Sequence, residues 1–381
     1  MQIDIYTDIF IAGGGPAGTA AALCLLTHTT CKVVVAEASA YDNVRVGEHV
    51  DASIFQLLEY AGIPRNAFDN AGIQEGYNSE AAWGSDRLIS RHSIYTTEGR
   101  SYQLDRQLFD PFLAAQVATH GGQLFPRTKA LQYQQTANGH WTILLQHETK
   151  GQFHVHAKFL LDATGRQAQV CRHLGIPGNR YDQLTGIGAY LQLDATHTPE
   201  QKILLETTPE GWWYYATIPG NRLAVTFFTD SDLIKKHQWQ HHYNWNRLLA
   251  TTKHLLPLTR GSHAYGKPWV KNAFTQITDT ASIKNFLATG DAALSFDPIS
   301  SMGLGFAISS ACHAALAANL HLQGDSASSI SYRKDLQQHF RNYLQLRASF
   351  YKKEQRWTEA PFWERRIKRI SDTVSTDSDN I

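Results

Sequence analysis

Three glycines near the N-terminus, Gly13, Gly15 and Gly18, satisfy G-x-G-x-x-G within the stretch "AGGGPAGTAAALCLL". Glycine suits these three places because a tight turn, close backbone approach to a pyrophosphate and close helix packing each require a missing side chain. Glu37, about twenty residues further on, is placed to accept hydrogen bonds from a ribose hydroxyl pair. The chemistry these four residues imply is the binding of a dinucleotide.

Such a loop works only where a strand runs into it and a helix leaves it. "TDIFIAGGG", an apolar helical run to Thr27 and then "CKVVVAEA" read as strand, helix and strand, a βαβ unit opening a doubly wound α/β sheet. Residues 38–104 are irregular, apart from a helix expected over "DASIFQLLEYAGI". "LDRQLFDPFLAAQVATHGG" carries apolar residues at three- and four-residue spacing with a Gly-Gly stop, which predicts a helix. "ALQYQQT", "HWTILLQH" and "QFHVHA" predict a small antiparallel ribbon, and "KFLLDATGR" a buried strand returning to the first sheet. Residues 184–280 hold longer alternating strands and predict an inserted, sheet-based substrate domain. The division expected is therefore 1–183 and 281–324 for a discontinuous Rossmann-like domain, 184–280 for the insert, and 325–381 for a helical segment ending in a polar tail from Ser371.

Composition removes several classes. The chain has 381 residues, 43% of them hydrophobic, enough for one large core or two joined ones. Charges nearly cancel, 35 basic against 34 acidic, which argues against a nucleic-acid or anionic-membrane partner. Cys24, Cys31, Cys171 and Cys312 are scattered with no C-x-x-C pair and read as reduced thiols, as in the cytoplasm. No export signal is evident, and no apolar run is expected to reach the roughly 18 residues of a membrane span. "KKHQWQHHYNW", with His237, His241 and His242, lacks a carboxylate or cysteine partner at ligand spacing, so no metal is assigned.

Later motifs carry a family resemblance. "TGDAALSFDPISSMGLGFAISSA", with Gly290, Asp291, Asp297 and Pro298, resembles the second flavin motif of the FAD-dependent aromatic hydroxylases and tryptophan halogenases. "LLDATGR" resembles their middle motif and "LDRQLFDPFL" their R-x-x-F-D helix. The resemblance implies that Asp291 holds the ribityl chain, that Arg106 approaches FAD and that the loop "VRVGEHV", with Arg45, Glu48 and His49, lies near the flavin. Gly303 and Gly305 would let backbone approach the flat ring, and the helix start there would favour negative charge on reduced flavin. FAD is expected to be non-covalent, reduced by NAD(P)H directly or through a reductase.

"GWWYYATIPGNRLAVTFFTD" resembles the halogenase strand pair with its W-x-W-x-I-P motif, but Tyr215 stands where a tryptophan is expected. The family's pocket lysine is also absent, since no lysine lies between Lys32 and Lys129. The C-terminal "FRNYLQLRASFYKKEQRWTEAPFWERR" resembles the tail of the flavoproteins that mature cysteine tryptophylquinone enzymes, the partners of lysine ε-oxidase and glycine oxidase. That resemblance implies a monomeric monooxygenase acting on a tryptophan within an oxidase precursor. Trp212, Trp213 and Tyr215 would flank the substrate ring, with Glu48 and His49 handling protons. The residues alone also allow a hydroxylase or halogenase of a free aromatic metabolite, or a non-enzymatic FAD-containing escort.

Overall fold

The computed structural model describes residues 4–68, 71–92, 100–196 and 198–368; the polar tail from Ser371 lies outside them. The opening strand Asp4–Ala12 pairs in parallel on one side with Val33–Ala36, and on the other with Gly151–Asp162, in register from Asp4 opposite His154 to Ala12 opposite Asp162. Its Ile9, Phe10 and Ile11 are fully buried, as expected of a parallel strand covered on both faces. The α/β expectation holds, and all three glycine motifs sit at the same carboxyl ends of this sheet.

The returning strand is longer than the sequence pattern suggests. "QFHVHA" and "KFLLD" form one strand, Gly151–Asp162. Its first half pairs with the antiparallel ribbon strand Trp141–His147, and its last residues, Leu160 to Asp162, pair with Phe286–Ala288. One strand thus ties the first glycine loop to the segment that leads into Gly290-Asp291. Helix Pro16–His28, apolar on nearly every face, is buried from Ala17 to Leu25 and packs against helix Gly303–Leu322. That second helix is 20 residues long and apolar enough to cross a membrane by length and composition, which corrects the expectation that no run reached that size. Half of it is buried inside the protein, between Pro16–His28 and the long helix Ser326–Lys352.

The second sheet has seven strands in the order Ser262–Asn272, Leu184–Leu193, Arg222–Asp230, Gly211–Ile218, Lys202–Thr208, Asn78–Ala82 and Ile89–His92. The last two come from within residues 1–183, ahead of the 184–280 segment that supplies the other five. Asn78–Ala82 joins in parallel, with Asn78 opposite Lys202. The pairing is non-local, and nothing in the short polar segment "NSEAA" announces it. One face of this sheet is closed by helices Ser231–His237 and His242–Leu249, where Trp213 meets Trp245 edge-on at 5.3 Å between ring centres. The tail docks on the same body: the Trp363 indole donates to the Thr208 carbonyl at 2.8 Å, and Arg366 pairs with Asp230 at 2.9 Å with both side chains buried.

Candidate flavin site

A cavity of about 540 Å³ lies between the two sheets. Its walls include Gly13, Gly15 and Glu37 from the first motif, Arg45, Glu48 and His49 from the connecting loop, Arg106 from its helix, and Asp291, Pro298 and Gly303 from the second motif. Residues more than 250 positions apart in sequence are therefore one site, because the parallel sheet ends them at one edge. Gly18 and Gly290 do not line the cavity, and Gly305 does not either, so a direct approach of Gly305 to the ring is not what the fold provides.

The first loop is built as its glycines require. Gly13 has φ +103°, and a Cβ there would lie 2.4 Å from the Ala163 carbonyl oxygen. Glu37, at the end of Val33–Ala36, accepts from Gly14 N at 2.8 Å and from Ser39 N at 2.9 Å, and pairs with Arg45 at 3.1 Å. Its carboxylate therefore orders the glycine turn as well as facing the cavity. Arg45 continues to Asp110 at 3.3 Å, and Asp110 holds Arg106 in a two-pronged contact at 2.6 and 2.9 Å. Arg106 also donates to the Val46 carbonyl at 2.9 Å, which fixes the loop carrying Glu48.

At the far end, Asp291 pairs with Arg166 at 3.1 Å through one oxygen, while its other oxygen, Oδ1, is buried without a partner among the described residues. Arg166 itself bridges the carbonyls of Phe274 and Phe296 at 2.8 and 2.6 Å. Arg166 stands in the "LLDATGR" motif, but its role is not legible there, because both acceptors are backbone atoms over 100 residues away. An orphaned acceptor at Asp291, an unpartnered buried Arg45 Nε and a glycine turn no side chain can enter all fit FAD. Replacing Asp291 with Ala removes a charged acceptor, worth about 1.5–3 kcal/mol, so FAD should bind roughly ten- to a hundredfold more weakly. Flavin fluorescence titration of the apoprotein checks this, and unchanged affinity would remove Asp291 from the site.

The wall that the second sheet gives the cavity differs from the one the sequence suggested. The cavity face of the second sheet presents Gly186, Tyr214, Thr226 and Phe228, with Trp269 at its side. Trp213 and Tyr215 point to the opposite face and are buried in the helix-covered core, so their expected place beside the substrate is corrected. Strand alternation decides it: Trp212, Tyr214 and Ala216 share one face, Trp213 and Tyr215 the other. Counting back from Ile218-Pro219, the tryptophan positions of W-x-W-x-I-P are Tyr214 and Ala216, a count that would have found Tyr214. Trp212 itself stacks on Phe228 at 4.3 Å. Two lysines from outside the lysine-free stretch, Lys129 and Lys271, also line the cavity.

Glu48 is buried, and burial pushes its carboxyl above the usual range, opposed in part by its contact with the Tyr190 hydroxyl and by Arg106. Burial holds the His49 imidazole below its ordinary value, so it is neutral at physiological pH, and its Nδ1 has no partner among the described residues. Both residues line the cavity. Among the described residues no cluster of three or more His, Cys, Asp or Glu side chains is arranged to hold a metal ion.

The fold and site define an FAD-dependent oxidoreductase of the monooxygenase and halogenase type. The chain belongs to the FAD binding domain family, which matches residues 6–346. It is 36% identical over 361 residues to the FAD-dependent oxidoreductase LodB of Marinomonas mediterranea, covering 94% of this chain and 96% of that one. Its fold is shared with CmlS, a flavin-dependent halogenase, at a TM-score of 0.83 and 21% identity over 97% of this chain and 70% of that one. It is shared also with QhpG, a peptidyl tryptophan dihydroxylase essential for tryptophylquinone cofactor biogenesis, at a TM-score of 0.71 and 20% identity over 95% of this chain and 78% of that one.

Proposed function

We propose that this chain is a monooxygenase that hydroxylates a protein-bound tryptophan in the precursor of a cysteine tryptophylquinone-dependent oxidase. The observation that carries the reading is the cavity itself, where both flavin motifs face a sheet wall of Tyr214, Thr226 and Phe228. The relation to LodB over nearly the full length of both chains and the fold shared with a peptidyl tryptophan dihydroxylase support it. FAD would be held without a covalent bond, by the Gly13 to Gly18 turn, Glu37, Arg45 and Asp291. When bound and reduced, flavin supplies electrons to dioxygen and so an electrophilic oxygen for an electron-rich ring.

The protein's own share is positional. Tyr214 and Phe228 offer aromatic faces against which an indole would pack, with a buried apolar core behind them. A protein substrate would bring a contact surface of about 1,000 Å² or more if stably bound. Much of its binding energy would then come from surface remote from the indole, and that energy holds the ring for oxygen transfer. The reductant in this reading is NAD(P)H or a separate reductase.

Lys271 on the cavity wall favours a second reading, a halogenase of a free aromatic compound, since a lysine is the residue that class requires. One experiment separates the two. The holoprotein, a reductant and oxygen are mixed with an unprocessed quinoprotein precursor, or with free tryptophan, each with and without bromide. The expected result is a gain of oxygen mass on the tryptophan-containing peptide, unaffected by bromide, with free tryptophan at least about tenfold slower. Brominated product would establish the second reading; absence of oxygen uptake with every substrate would leave an FAD-containing escort.

A further inference from the structure

The Tyr190 hydroxyl lies 2.8 Å from Glu48 Oε1 and 2.8 Å from the Arg45 carbonyl oxygen. A phenol has one hydrogen to donate, so it can serve only one of these two acceptors. Both short contacts are hydrogen bonds only if the second hydrogen belongs to Glu48. The charges around the carboxyl agree. Arg106, the cation that acts on it most, is already committed to Asp110 through two nitrogens and to the Val46 and Gly47 carbonyls through the third. Arg45 is committed to Glu37 and Asp110. These two arginines and two carboxylates balance, and no ion pair reaches Glu48 among the described residues. From the second sheet Glu48 faces Tyr190 and Tyr214, neither of them charged at neutral pH. A Glu48 anion would thus be a buried, unpaired charge.

We infer that Glu48 is held as a neutral carboxylic acid at the cavity wall, donating to Tyr190, while Tyr190 donates to the Arg45 carbonyl. The pair is a proton donor with a built-in toggle. When Glu48 gives its proton to an oxygen base in the cavity, the Tyr190 hydrogen turns from the Arg45 carbonyl to Oε1. The carboxylate left behind gains a hydrogen bond by the rotation of one hydroxyl, and protonation from water resets it. Tyr190 is the positioning residue here, and Glu48 the group that exchanges the proton. The inference holds for either substrate reading, since it concerns only the cavity wall.

Infrared spectroscopy of the purified holoprotein tests it. The difference between wild type and Glu48→Gln at neutral pH should contain a carboxylic acid carbonyl band that moves in heavy water. Tyr190→Phe should keep its FAD, yet shift that band to higher frequency, because the acid loses its acceptor. Should Glu48→Gln fail to fold, the difference between wild type and Tyr190→Phe still reads the same band. Carboxylate bands alone in the Glu48 difference, or an acid band indifferent to Tyr190→Phe, would overturn the assignment.

Discussion

Gly18→Ala should purify with little or no flavin. A Cβ at Gly18 would lie 1.8 Å from the Gly13 carbonyl oxygen, a backbone atom with no freedom to swing aside. Gly13 cannot yield either, because it already holds φ +103° against the Ala163 carbonyl. The first turn of helix Pro16–His28 would have to move off the strand that delivers it, and the amides facing the pyrophosphate would move with it. Overpacking of this kind costs about 2–3 kcal/mol, and if most of it falls on binding, FAD affinity drops roughly 30- to 150-fold. The measurement is the ratio of flavin to protein after gel filtration, with reconstitution of the apoprotein. Gly305→Ala is the control: a Cβ there meets nothing within 4 Å, and the residue does not line the cavity. Full flavin content in Gly18→Ala, or its loss in Gly305→Ala, would contradict these roles for the two glycines.

Arg347→Met should destabilise the fold by about 3–5 kcal/mol, because it leaves two buried carboxylates without their cation. Arg347, on helix Ser326–Lys352, pairs with Asp297 at 3.2 Å and with Asp182 at 3.0 Å. Burial works against the arginine's charge, but the two carboxylates outweigh it and hold its pKa above the ordinary range. Asp297 also accepts from the Tyr351 hydroxyl at 2.7 Å, and its own amide donates to the Tyr343 hydroxyl at 2.7 Å. Three side chains of one helix therefore grip the residue that precedes Pro298 at the cavity wall. Loss of the grip should lower the urea midpoint and release flavin at lower temperature. Asp297→Asn combined with Arg347→Met should recover part of the loss, since one of the stranded charges is gone. An unchanged midpoint in Arg347→Met would mean that the tail helix does not hold the flavin loop.

The tail shows how far a local pattern reaches. Its aromatic residues mark it as something that docks, and Tyr351, Phe362 and Trp363 do dock, in one core with Trp212 and Trp213. What the pattern does not carry is the ion pair from Arg347 to Asp297, which spans 50 residues and exists only once both ends are folded. The Glu48 and Tyr190 contact spans 142 residues and is of the same kind.

From the sequence alone follow the dinucleotide turn, the strand that feeds it, the helix that leaves it and the second flavin motif. All of these are legible locally: the glycine spacing, and the period of a helix or strand, is written within about ten to twenty residues, even though the carbonyl that excludes a side chain at Gly13 belongs to Ala163. Tertiary structure decided which residues share the cavity. Strand alternation is legible, but which face meets the flavin domain depends on where the helices after Arg222–Asp230 pack, and they took the face of Trp213 and Tyr215. Likewise only the fold brings Asn78–Ala82 to Lys202–Thr208 and sets Lys271 and Glu48 on one cavity wall. Such contacts are selected by the burial of whole sheet faces and by the pairing of charges once water is excluded, and neither is a property of any single stretch of chain.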